Sequence, residues 1–289
     1  MFKVNLKSRK KQEIPAMSGR MFLYHAHGSA IGGTITQPFK ADIDTNSSTS
    51  LPIIGGFSSA KSGAYQLKDV VSFSSAHTYV SGIQTDDGAY NSVATCVVEG
   101  LNILHMITAD AIVGRLSAKH VDGQPTEFLP LGSTFENLKI GGTPVDVDLN
   151  HDLFLQNPTH AGLLKHYEAR SKKKGTEKVR YQWGAAHEDV PPGLAKGMMM
   201  EPGAGWHKSN GVLHTSVVKQ VRTAGTSDSA GELPYAYAIH IPHVGNLYLG
   251  EIFVSGDTKR LTMLRVDLGS PFQGSLAASA PVGNGNFFP

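Results

Sequence analysis

One cysteine in 289 residues excludes an intrachain disulfide. That residue, Cys96, lies in the apolar run Val93-Ala-Thr-Cys-Val-Val98, where a buried, inert thiol is expected rather than a nucleophile. Charge of one sign is also missing. The 26 basic and 24 acidic residues leave a net charge of +2, so no whole-molecule field draws in nucleic acid or an anionic membrane. No segment approaches the roughly 18 apolar residues of a membrane helix. The basic stretch Met1-Phe-Lys-Val-Asn-Leu-Lys-Ser-Arg-Lys-Lys is not followed by the apolar segment of a secretion signal, so the expected location is the cytoplasm.

What is plentiful is punctuation. Glycine occurs 32 times and proline 15 times, and turn signals recur about every ten residues, the rhythm of short strands. A hydrophobic content of 40% supplies a core. The expected fold is all-β: an antiparallel, jelly-roll-like β-sandwich with a short helical insertion.

Residues 1–19 read as a basic N-terminal arm and 20–289 as a single sandwich domain with an insertion at about 151–211. A first hairpin is expected from Arg20–His27 and Thr34–Phe39 around the Gly28-Ser-Ala-Ile-Gly-Gly33 turn. A second is expected around Asp86-Asp87-Gly88, and a third around Gly141-Gly142. Leu101–Leu116 reads as one central strand or, as the alternative, a short buried helix. Residues 235–268 supply three further strands. Within the insertion, 159–170 predicts an amphipathic helix with Thr159 as N-cap. The insertion also holds Trp183, Trp206 and Met198–Met200, which should pack on the sandwich or on a neighbouring subunit.

Three segments carry a wider likeness: Val98–Arg115 with its Thr108-Ala-Asp110, Gly132-Ser-Thr-Phe135 leading to Ile140-Gly-Gly-Thr-Pro144, and Val244–Ile252. In this order they resemble the bacterial choice-of-anchor P domain, over about 50–150 and 235–285. The resemblance implies a β-sandwich of undefined activity, usually displayed at the cell surface. It supplies no catalytic residues, and Gly250 stands where that family tends to have Asn.

Two patterns suggest metal chemistry. His25 and His27, spaced i and i+2, share one face of a strand, and His240 and His243 are candidate partners across the sheet for Zn²⁺. In Asp146-Val-Asp-Leu-Asn-His-Asp152, alternation puts Asp146, Asp148 and Asn150 on one side of an extended chain, and Asp152 follows, a hard-oxygen set suited to Ca²⁺. The competing reading makes the histidines structural and the acidic run a solvated strand face with a capping residue. Glu99 and Asp110 are a carboxylate pair of undefined separation. No nucleophile elbow or phosphate loop is present.

The expected function is therefore a non-enzymatic structural or assembly protein, a β-sandwich subunit of a homo-oligomer. The alternative is a metal-dependent enzyme or a small-ligand or carbohydrate-binding module that uses the clustered histidines or the Asp/Asn run.

Overall fold

The computed structural model describes residues 21–43, 47–173, 206–209, 211–223, 238–241, 244–269 and 271–288. The first strands are β1 (Met21–Tyr24), β2 (His27–Gln37), β3 (Ala41–Ile43), β4 (Ser48–Ser50), β5 (Gly56–Ser62), β6 (Tyr65–Leu67) and β7 (Val71–Phe73). They are followed by β8 (Ser75–Gln84), β9 (Tyr90–Ile103), β10 (Ile107–His120), β11 (Glu127–Leu129), β12 (Thr134–Glu136), β13 (Lys139–Ile140) and β14 (Thr143–Leu149). Two helices come next, α1 (His151–Gln156) and α2 (His160–Lys173). The chain then adds β15 (Trp206–Ser209), β16 (Val212–Ser216), β17 (Val218–Thr223), β18 (Ala238–Ile241), β19 (Gly245–Val254), β20 (Thr258–Leu268) and β21 (Gln273–Phe288).

These strands form two antiparallel sheets. The first runs β15-β16-β19-β20-β21-β2-β3, with β1 on β21, β18 on β19 and β4 on β2. The second runs β17-β14-β13-β10-β9-β7-β6, with β8 on β9, β5 on β8, and β11 and β12 on β10. Strands β20 and β21 lie against β9 and β10, and β2 lies against β8 and β9, so the sheets stack face to face. The all-β sandwich expected from the turn rhythm is what forms.

Alternation sets the core. On β9, Ala94, Cys96 and Val98 are buried, and on β10 Ile112, Leu116 and Ala118, the period-two pattern of strands with one face covered. Ser279 Oγ donates to the Cys96 carbonyl at 2.6 Å, a polar stitch between the sheets. Burial pushes the Cys96 thiol up to about 12, so it is an inert filler, as its apolar run implied.

Two local expectations change. Gly28–Gly33 is not a hairpin turn but the start of β2, and β1 and β2 follow β21 in one register from Met21 to Ile35, interrupted at His25-Ala26, with a shift between Ile35 and Gln37. The glycine is there for proximity: a Cβ on Gly28 would meet Cys96 Sγ at 2.6 Å. Leu101–Leu116 is not one strand. The chain reverses at Leu104 and His105, both with positive φ, and the Asn102 side chain accepts from the His105 N–H at 2.9 Å. Strand β21, the longest among the described residues, sits mid-sheet, although its Ala- and Gly-rich sequence carries little alternation.

The Asp86-Asp87-Gly88 and Gly141-Gly142 hairpins form between β8 and β9 and between β13 and β14. Within the insertion, Gly162 N–H donates to Thr159 Oγ1 at 3.1 Å, the cap expected for α2. Phe154, Leu163 and Tyr167 from the two helices join the main core, and Tyr167 Oη accepts from Thr215 at 2.8 Å. The described part of the insertion therefore packs on the sandwich. Residues 174–205, with Trp183 and Met198–Met200, and the arm 1–19 lie outside the described residues.

Candidate functional site

The histidine set expected to bind a metal does not converge on one place. His25 and His27 are exposed at the β1–β2 break, and His25 Nε2 is 3.0 Å from Asn286 Oδ1. His240 lies on β18, opposite Asn246, and β19, β20 and β21 separate β18 from β2. At about 4.8 Å per strand spacing, that gap is far beyond the roughly 2 Å metal–nitrogen bond of a shared ion. His243 lies outside the described residues.

The acidic run is likewise divided among separate roles. Asp146 is exposed on β14, opposite Arg222. Asp148 accepts from Gln220 Nε2 and Arg222 Nη2, each at 2.6 Å; the Gln220 hydrogen bond first, and then Arg222, holds its carboxyl below the usual range. Asn150 caps α1, accepting from Leu153 N–H, and Asp152 sits in that helix's first turn. The chain turns into a helix at Asn150, so the side chains that extended spacing would align diverge. Among the described residues, no group of three or more His, Cys, Asp or Glu is gathered as for a metal ion.

Glu99 and Asp110 do come to neighbouring positions of the β9–β10 ladder, where Glu99 pairs with Ala111. Each is engaged by its own neighbour: Ser75 Oγ donates to Glu99, and Asn137 Nδ2 donates to Asp110 Oδ2 at 3.0 Å.

Two charged clusters were not visible in the sequence. Gly250 adopts φ +60°, which interrupts the alternation of β19 between the core residues Leu249 and Ile252. The interruption leaves Glu251 beside His214 of β16 and Arg265 of β20, yet Glu251 is only 1% exposed. Arg265 grips it with two bonds, Nε to Oε2 at 2.6 Å and Nη2 to Oε1 at 3.0 Å, the bidentate geometry of a strong pair. His214 Nε2 is 3.1 Å from Oε1. Burial by itself would raise the Glu251 carboxyl, but the His214 and Arg265 hydrogen bonds and the Arg265 charge outweigh it and hold the pKa below its ordinary value. Arg265 also bonds Asp267 and stacks on Tyr248 at 3.7 Å. Every member is engaged by another member, which is the chemistry of a structural clamp rather than of a poised acid or base.

The second cluster lies where the sandwich closes near Phe22. Lys259 is 1% exposed, donates from Nζ to the Gly256 carbonyl at 2.7 Å, and is lowered by burial to about 8. His120 is buried against the Phe22 ring at 4.9 Å, with Nδ1 3.1 Å from Thr126 Oγ1. Burial, and then the Lys259 charge, lowers it to about 4. His120 is therefore neutral at physiological pH.

The surface holds one further feature. Ile54, Phe57 and Ile83 are 77%, 70% and 60% exposed, and Ile53 and Tyr79 about half exposed. Phe57 is on β5 opposite Ser81, and Tyr79 is on β8 opposite Ser59, so the two aromatics share a face of the second sheet. Among the described residues, strand β5 pairs with β8 alone, with no strand on its other side.

A family model described as a domain of unknown function (DUF8256) matches residues 22–255. No curated protein and no solved structure matches the chain.

Proposed function

We propose that this chain, which belongs to the DUF8256 family of domains of unknown function, is a non-enzymatic structural subunit that assembles with copies of itself. The observation that carries this reading is the apolar surface of Ile53, Ile54, Phe57, Tyr79 and Ile83 beside the open edge of β5. Large apolar side chains in one exposed group cost solvation free energy that a partner recovers. The Glu251 cluster supports the same reading, because its charges are tied up in pairs with one another. The resemblance to choice-of-anchor P domains fits a β-sandwich assembly module, and we include it in the proposal, together with a cytoplasmic site of action. No described helix is long and apolar enough to cross a membrane.

The test is the native mass of untagged protein, by light scattering behind a sizing column at micromolar concentration. A discrete multiple of 30.9 kDa is expected. A monomer throughout would remove the assembly reading.

A further inference from the structure

We infer that the contact between copies is edge-to-edge pairing of β5 with β5 of a second molecule, antiparallel about a two-fold axis at Ser59. This rests on the assembly reading above and adds the geometry to it. The direction of the backbone groups can be traced from the neighbouring hairpin. Thr85 N–H donates to the Ala89 carbonyl, so the odd-numbered residues of β8 bond β9 and its even-numbered residues bond β5. On the far side of β10, Arg115 N–H and C=O both bond Ser133 Oγ, which fits the same alternation carried across β9.

Through the register Gly56 to Gly82, Ser58 to Val80 and Ala60 to Thr78, the even residues of β5 are spent on β8. The N–H and C=O groups of Phe57, Ser59 and Lys61 therefore point away from it. No strand among the described residues pairs with them on that side.

A second copy satisfies those groups better than an unrelated strand because the segment is complementary to itself. With Ser59 opposite Ser59 of the partner subunit, Phe57 faces Lys61 of the partner subunit and Lys61 faces Phe57 of the partner subunit. All six outward backbone groups on each strand then pair. Lys61 is the one charged residue on β5, and in this register its stem lies on an aromatic ring with its ammonium at the ring face. Elsewhere a lysine on an edge strand discourages pairing; here it is matched. Small Ser59 side chains at the axis leave room for Tyr79 of each copy to lean over the seam. Phe57 on β5 and Tyr79 on β8 are the two aromatic side chains beside this seam. The paired backbones and the Phe57–Lys61 contacts make up the seam.

The test uses two single substitutions in the full chain. Ser59→Cys introduces the one accessible thiol, since Cys96 is buried, and mild oxidation should convert most of the protein to a covalent dimer. Ser59→Pro deletes an N–H that points to the open side and leaves the β8 bonds in place, as edge strands permit; it should weaken self-association at least about 100-fold. Circular dichroism identical to wild type shows that each variant folds, and Phe57→Asp serves in place of Ser59→Pro if that variant does not. Oligomers that persist in the proline or aspartate variant, with no cross-link in the cysteine variant, overturn this contact and leave assembly standing. Dissociation without a cross-link means a different segment occupies the edge, which also overturns the two-fold pairing. A monomeric wild type removes both proposals.

Discussion

Replacing Arg265 with methionine keeps most of the side-chain volume and removes the guanidinium that holds Glu251. In the native protein the carboxylate, 1% exposed, receives two of its bonds from Arg265, at 2.6 and 3.0 Å, and its third contact from His214 at 3.1 Å. Stranding a buried charge by deleting its partner costs about 3–5 kcal/mol, which for a domain of this size lowers the melting temperature by about 10 °C. Urea unfolding across pH reveals the mechanism. The wild-type Glu251 carboxyl is held below its ordinary value, so its contribution is present above the unfolded pKa of about 4.3 and is lost as pH falls through the lower folded value. In Arg265→Met burial, the largest single influence on this carboxyl, acts in the opposite direction and is opposed by His214 alone. The folded carboxyl then takes up its proton before the unfolded one does, and the stability deficit narrows as pH falls from 7 toward 4. Converting Glu251 to Met in the same chain should recover most of the loss. A deficit under about 1 kcal/mol at pH 7, or one that stays constant with pH, would refute the claim that Glu251 is a buried carboxylate sustained by this pair.

Three other outcomes follow from the geometry. His120 is lowered to about 4, so between about 6.5 and 4 the unfolded state binds a proton that the folded state refuses. Stability should fall with pH across that window, and His120→Gln should flatten the slope in denaturant titrations. Lys259 is lowered to about 8, so burying its charge opposes folding below that pH; Lys259→Met should stabilise by roughly 1–3 kcal/mol at pH 7, with the gain disappearing by about pH 10.4. No stabilisation at pH 7 would mean the ammonium is better satisfied than its burial implies. A Cβ on Gly114 would lie 2.5 Å from Ser279 Oγ and 2.8 Å from the Ser279 carbonyl, so Gly114→Ala should cost about 1–3 kcal/mol by thermal melting. Gly256→Ala, where nothing lies within 4 Å of the added atom, should cost far less.

Turn chemistry made much of the fold legible. Asp86-Asp87-Gly88 and Gly141-Gly142 each name a hairpin by residue type alone, and Thr159 names a helix start. Gly28–Gly33 misled because glycine serves two ends. It permits a turn, and it also permits another chain to approach closely, and only the position of Cys96 across the sandwich distinguishes the uses. Leu101–Leu116 concealed its reversal because Leu104 is not a typical residue for positive φ and no glycine marks the turn. Little of the site was legible. Spacing grouped His25 with His27, but the strands between β2 and β18 are a matter of topology. Glu251 reads as one polar residue in an apolar strand until Gly250 interrupts the alternation. Phe57, set between Gly56 and Ser58, carries no local sign that its face is left open.

Strand β21 occupies the middle of its sheet, between β20 and β2, and follows every other described strand in the chain. A ribosome must therefore deliver β2 and hold it without its neighbour across some 240 residues, until Gln273–Phe288 has emerged to join the two halves. Closing so distant a pair late makes folding slow and leaves two apolar strand edges waiting in the nascent chain. Loss of the last dozen residues would for the same reason be felt at the centre of the sandwich rather than at its margin, with Phe22 and Tyr24 losing the strand that seats them.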